Sequence, residues 1–167
     1  MDLLGEVWEA FLLMIPAMVA NGSAVLIRRG TPIDLGKKLW DGRRVLGDGK
    51  TFEGLLVALS FASIIGGVLA AATEEALRLA YGFLAGLGAM LGDMAGSFIK
   101  RRLNLARGAP LPVVDQLDFV AGAALLLFLA GAPLGIYGLI LVSALILFLH
   151  RATNLAAHRL GLKDVPW

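Results

Sequence analysis

The chain has 167 residues, 58% hydrophobic and 17% charged, with a formal net charge of +2 at pH 7 and a mean hydropathy of +0.79. A water-facing surface carries about a quarter charged residues, so this composition excludes a soluble globular domain, soluble nucleic-acid binders included, and turns most of the outer surface toward lipid. Cysteine is absent, which removes disulfides, thiolate metal sites and a cysteine nucleophile.

Cutting the chain at its charges leaves five apolar segments, 3–27, 54–72, 76–99, 119–132 and 134–149. At about 20 residues per span they predict an all-α, polytopic membrane protein with five transmembrane helices, folded as one domain over residues 1–167 with loops at about 28–53 and 101–113. The first segment opens with Asp2, Glu6 and Glu9 instead of a basic stretch and has no small-residue cleavage pattern, so it reads as a retained helix and not a signal peptide. The fourth reaches spanning length only if its helix starts near Val113, which draws Asp115 and Asp118 to the interface.

Basic residues set the orientation. Arg28, Arg29, Lys37, Lys38, Arg43, Arg44 and Lys50 follow the first segment; Lys100, Arg101, Arg102 and Arg107 follow the third; Arg151, Arg159 and Lys163 follow the fifth. Five spans place all three groups on one side, leaving Arg78 on the other beside Glu74 and Glu75. The positive-inside rule then puts the N-terminus outside and the C-terminus in the cytoplasm. The same residues also serve as topology signals and snorkelling anchors, so their number alone makes no active site.

A carboxylate near the membrane needs a partner, which singles out Asp93, Asp115 and Asp118. At about 100° per residue, Ser97, Lys100 and Arg101 fall on the face of Asp93, giving a polar stripe at a helix mouth. Gly88, Gly92 and Gly96 on the same helix repeat a small-xxx-small spacing that permits close backbone packing. Asp115 and Asp118 share a face in the first turns of the fourth helix, where the dipole favours anions and ordinary capping is the plainer role. Three carboxylates at one depth repel unless they share a cation. With no histidine or cysteine among them, a hard divalent ion is indicated, Mg²⁺ first, completing its shell with substrate phosphates.

The first loop carries Asp41-Gly-Arg-Arg-Val-Leu-Gly-Asp-Gly-Lys-Thr-Phe-Glu-Gly, where glycines let backbone amides approach phosphate and Arg43, Arg44 and Lys50 bring charge. Gly49-Lys50-Thr51 is not a P-loop, because Arg44 stands where that motif needs its first glycine. A solvated basic turn is the alternative for this stretch. His150 and His158 follow the last span and read as interfacial, and no serine–histidine–acid set or glutamate pair stands out.

Gly92-Asp93-x3-Ser97-x2-Lys100-Arg101 followed by Asp115-x2-Asp118 resembles the signature of the CDP-diglyceride synthases, membrane cytidylyltransferases that join CTP to a lipid phosphate. The first loop, the preceding Pro32-Ile-Asp34-Leu-Gly36-Lys37, and Pro16 with Asn21 resemble the archaeal branch, the CDP-archaeol synthases, over nearly the whole chain. The bacterial proline-glycine-histidine-glycine-glycine run is replaced by Pro110-Leu-Pro-Val-Val, and the arginine of Asp-Arg-x-Asp by Gln116. The resemblance implies transfer of CMP from CTP to 2,3-bis-O-geranylgeranylglycerol 1-phosphate, with pyrophosphate released and Mg²⁺ required. It assigns Asp93, Asp115 and Asp118 to metal, Lys100, Arg101, Arg43, Arg44 and Lys50 to phosphate charge, and Ser97, Asp48, Asn21 and Thr51 to positioning. The implied partners are CTP, the isoprenoid glycerol-phosphate lipid and surrounding membrane lipids, without nucleic acid; a homodimer is left open. The setting is a multi-pass protein of the cell membrane with its active site on the cytoplasmic side. A CTP-dependent polyprenol kinase would use similar chemistry but transfer the γ-phosphate. An ion-coupled transporter would place its acids nearer the midplane, and the longer aspartate motif of CDP-alcohol phosphotransferases has no match.

Overall fold

The computed structural model describes residues 2–27, 29–106, 109, 111 and 114–162, with backbone only at His150. Arg28, Arg107, Lys163 and most of the Pro110-to-Val113 run, Val113 included, lie outside the described residues. The described residues form five α-helices: α1 (Leu3–Ser23, continued by a 3-10 turn at Ala24–Leu26), α2 (Phe52–Thr73), α3 (Leu77–Arg102), α4 (Val114–Leu129) and α5 (Ile136–Arg159). No strand occurs among the described residues; two isolated bridges, Pro32 to Thr51 and Lys38 to Arg44, fold the first loop.

Local chemistry fixes the helix ends. Asp2 caps α1 by accepting the Gly5 N–H at 2.8 Å, and Thr51 caps α2 by accepting the Gly54 N–H at 3.1 Å, each satisfying an otherwise orphaned amide. Lys100, Arg101 and Arg102 end α3, where cations meet the negative end of the dipole. α4 stops at Leu129, short of the expected 132, because Gly131 turns left-handed at φ +68° just before Pro133. α5 runs ten residues beyond the apolar segment expected to end at 149, carrying Arg151, His158 and Arg159 past the hydrophobic stretch.

α1, α2, α3 and α5 are long and apolar enough to cross a membrane. The expected fourth span, α4, has 16 residues, about 24 Å of helix against a hydrocarbon core of roughly 30 Å.

Glycine faces let α3 sit at the centre. A Cβ on Gly82 or Gly86 would strike Gly66 and Ala62 of α2, while a Cβ on Gly88 or Gly92 would strike the Gly122 and Asp118 carbonyls of α4. The 88/92/96 spacing is therefore a close helix–helix seam. Met14, Phe119, Leu127, Val142 and Ile146 fill the core among α1, α4 and α5. At the end where α2 turns into α3, the Arg78 side chain is 5% exposed and bonds Glu9 of α1 at 2.8 Å and Glu75 at 3.1 Å, and its Nε donates to the Thr73 hydroxyl at 3.0 Å. Arg78, expected away from the basic loops beside Glu74, Glu75 and the acidic N-terminus, lies with Glu75 and Glu9 as a buried bolt between α1 and α3.

Candidate active site

At the opposite end, the first loop folds over the termini of α3 and α4. Its centre is Asp34, with a side chain 1% exposed. Its carboxylate accepts Arg44 Nη2 at 2.6 Å and Nε at 3.1 Å, and the backbone N–H groups of Leu46 and Gly47, each at 2.9 Å, and of Gly36 at 3.2 Å. The Arg44 guanidinium beside it, reinforced by those amides, holds the Asp34 carboxyl well below the usual carboxylate range against the opposing effect of burial. Asp34 in turn, with Asp48 at 2.7 Å from Nη1, pushes Arg44 further toward the charged form.

A second clamp ties the loop to α3. Arg102 Nη1 meets Asp41 at 2.7 Å, its Nη2 donates to the Arg44 carbonyl at 2.5 Å, and Arg43 Nη1 returns a bond to the Arg102 carbonyl at 2.5 Å. The Arg102 guanidinium also lies 5.2 Å from the Phe98 ring centroid, a cation–π distance. Partial desolvation works against the charge on Asp41, and bonds from the Arg43 N–H and Arg102 outweigh it, so its carboxyl titrates below the usual range.

Between loop and helices opens a cavity of about 550 Å³ lined by Arg43, Lys50, Ser97, Lys100 and Arg101 and the Gly47–Gly49 backbone, a volume typical of small-molecule sites. Lys50 reaches Asp93 at 2.5 Å and Lys100 reaches Asp115 at 2.6 Å, joining loop to α3 and α3 to α4. Asp115 also accepts the Leu111 N–H at 2.9 Å. The Asp118 carboxylate lies against Gly96, accepts the Phe119 N–H at 2.6 Å and sits in the fields of Asp93, Lys50 and Asp115. Arg101 donates to the Ala106 carbonyl at 3.2 Å, and its Nε is buried without a partner.

The structure therefore brings together Asp93, Ser97, Lys100, Arg101, Asp115, Asp118, Arg43 and Lys50. Arg44 and Asp48 also line the cavity, but their mutual ion pair and the Asp34 bonds commit them to holding the loop. The Thr51 hydroxyl is taken by the α2 cap, and Thr51 lines a small adjoining pocket with Lys50 and Asp93. Asn21, near the end of α1, lies outside the residues lining either space. Asp34, Asp41 and Arg102 carry the loop, a role the sequence did not assign to them. Their signal, acids and an arginine with complementary partners, exists only once chain segments far apart in sequence meet.

No three Asp, Glu or His side chains converge to enclose a metal among the described residues. Of the three aspartates expected at a metal, Asp115 is engaged by Lys100 and the Leu111 amide. Mg²⁺ is commonly held by one or two carboxylates, with waters and substrate phosphates completing the shell. Asp93 and Asp118, hard oxygen donors across the α3–α4 seam, fit that mode.

The family model described as CarS-like: CDP-archaeol synthase matches residues 2–167. The chain belongs to the CDP-archaeol synthase family. It is 53% identical over 156 residues to the CDP-archaeol synthase of Sulfolobus acidocaldarius, covering 92% of this chain and 93% of the relative. To that of Hyperthermus butylicus it is 51% identical over 160 residues, covering 95% of each. A solved structure described as an intramembrane enzyme for archaeal membrane lipids biosynthesis superposes with a TM-score of 0.84 at 44% identity, covering 89% of this chain and 94% of that one. As a member of the CDP-archaeol synthase family, with four helices able to span a bilayer, the chain is a multi-pass membrane enzyme of the cytidylyltransferase class.

Proposed function

We propose that this chain transfers CMP from CTP to 2,3-bis-O-geranylgeranylglycerol 1-phosphate, giving CDP-archaeol and pyrophosphate. The observation that carries the reading is the pairing of Asp93 and Asp115 with Lys50 and Lys100 at the edge of one basic cavity. Phosphates entering that cavity offer both lysines oxygen partners in place of the aspartates, freeing carboxylate oxygens at the same moment. Asp93 and Asp118 would then hold Mg²⁺, with Asp115 orienting the first turn of α4. When bound, the ion supplies positive charge for the reacting phosphates.

The lipid phosphate oxygen attacks the α-phosphorus of CTP in line, forming one P–O bond as the bond to the β-phosphate oxygen breaks. No side-chain nucleophile is required, so the chain's task is to position and neutralise phosphates. Arg43, Lys50, Lys100 and Arg101 provide charge, the Gly47–Gly49 amides and Ser97 provide hydrogen bonds, and Asp34 with Arg102 keeps the loop in place. The isoprenoid chains lie along lipid-facing helix surfaces. The whole chain acts as one domain, with α4 as a short fifth span, the N-terminus outside and the cavity on the cytoplasmic side, as the basic loops favour.

The test is incubation of purified protein with lipid phosphate, Mg²⁺ and CTP labelled either in the cytosine ring or at the γ-phosphate. Ring label in the lipid phase and γ-label in free pyrophosphate are expected. γ-Label in the lipid would indicate a kinase and overturn the reading.

A further inference from the structure

The first loop has an end that the catalytic reading does not use. Its tip, whose residues do not line the cavity, exposes Trp40 to 88% and Leu35 to 64%, flanked by the exposed Lys37 and Lys38. Leu35 is held at φ +48° within the turn closed by the Lys37 N–H on the Asp34 carbonyl, a backbone region that disfavours a leucine. An exposed leucine in such a conformation and a bare tryptophan make a poor water-facing surface.

Their depth follows from the clamp. Asp41, next to Trp40, is tied to Arg102, and the exposed apolar residues Leu91 and Ile99 on α3 are followed by the exposed Leu103 just past its end. Both ends of the loop also emerge beside exposed apolar residues, Leu26 and Phe52. The tip is thus held at the level where the lipid-facing surface ends. Tryptophan favours that interface, and lysines there attract anionic headgroups.

We propose that Leu35, Trp40, Lys37 and Lys38 form an anchor that rests in the headgroup layer of the host membrane and engages anionic lipid headgroups. The inference rests on α1 and α2 spanning the membrane, and not on the identity of the nucleotide reaction.

The experiment leaves Trp40 as the sole tryptophan through Trp8→Phe and Trp167→Phe and reconstitutes the protein in phosphatidylcholine vesicles with and without phosphatidylglycerol. Emission shifted to shorter wavelength, lost with brominated acyl chains and insensitive to aqueous iodide, is the expected result, with the larger shift in anionic vesicles. Water-like emission quenched by iodide and untouched by bromine would overturn the anchor. Should the tryptophan variants fail to fold, Trp40→Cys carrying an environment-sensitive fluorophore gives the same reading in a chain with no native cysteine. Lys37→Glu with Lys38→Glu should abolish the anionic part of the shift; an unchanged shift would overturn the headgroup contact. A failed nucleotide assay moves none of these signals.

Discussion

Arg44 has all three guanidinium nitrogens engaged within its own loop, by Asp34 and Asp48, whereas Arg43 sends Nη1 to the Arg102 carbonyl and lines the cavity. Lysine at position 44 cannot reproduce the two-pronged bond to Asp34, so Arg44→Lys should make the loop trypsin-sensitive. Arg43→Lys should keep the loop folded and weaken CTP binding, by about 1.5–3 kcal/mol per charged hydrogen bond lost. Binding isotherms beside digestion time courses separate the two. The depressed Asp34 pKa predicts the acid behaviour: the carboxylate contributes its full stability above the unfolded value of about 3.9, and that contribution is lost as pH falls below it toward the lower folded value. Backbone hydrogen exchange followed down the pH scale should show the loop opening only in that acid range, and trypsin at neutral pH should cut the loop in Asp34→Asn but not in the parent. Asp93→Asn should lower turnover by about a hundredfold, about 2.7 kcal/mol, measured at saturating CTP. At this scale the sequence made Asp93, Lys100 and Asp115 legible through helical spacing. The pairing of Lys50 with Asp93 and the capture of Arg44 by Asp34 were not, because both join segments whose relative placement no local pattern encodes.

Among the helices, α3 was the most legible, since glycines four apart announce a close neighbour; which neighbour was not readable. Gly82 and Gly86 meet α2, while Gly88, Gly92 and Gly96 meet α4, two faces of one helix assigned to two partners. Gly92→Ala would drive a methyl into the Asp118 carbonyl and displace the aspartate-bearing turn, so overpacking of about 1–3 kcal/mol should come with lost activity. Gly67→Ala, whose Cβ would meet only Leu79 at 3.8 Å, should raise stability by about 0.5–1 kcal/mol. Detergent-phase melting curves of the two variants should move in opposite directions. The end of α4 and the length of α5 were misjudged from apolarity alone. Gly131 and Pro133 punctuate more sharply than hydrophobicity, and a helix already propagating continues through polar residues such as those after His150.

Across the whole molecule, composition disclosed a membrane-embedded helical protein, and the clustering of basic residues separated one end from the other. That charge pattern makes a topological prediction: a membrane-impermeant thiol reagent should label Glu74→Cys in intact cells and Lys38→Cys only after permeabilisation. Labelling of Lys38→Cys in intact cells, with Glu74→Cys labelled only after permeabilisation, would reverse the orientation. What charge counting did not disclose is the role of Arg78, which serves the interior of the bundle. Its ion pair with Glu9 is largely removed from water, and the hydration that charged groups give up becomes less favourable as temperature rises. The bolt between α1 and α3 therefore strengthens, relative to the solvated state, under heat. Glu9→Gln should consequently do more harm in a hot assay than in a cool one, and the gap in residual activity between variant and parent, followed along a temperature ramp, should widen. The end of the molecule away from the basic cavity would then set the upper temperature at which the enzyme works.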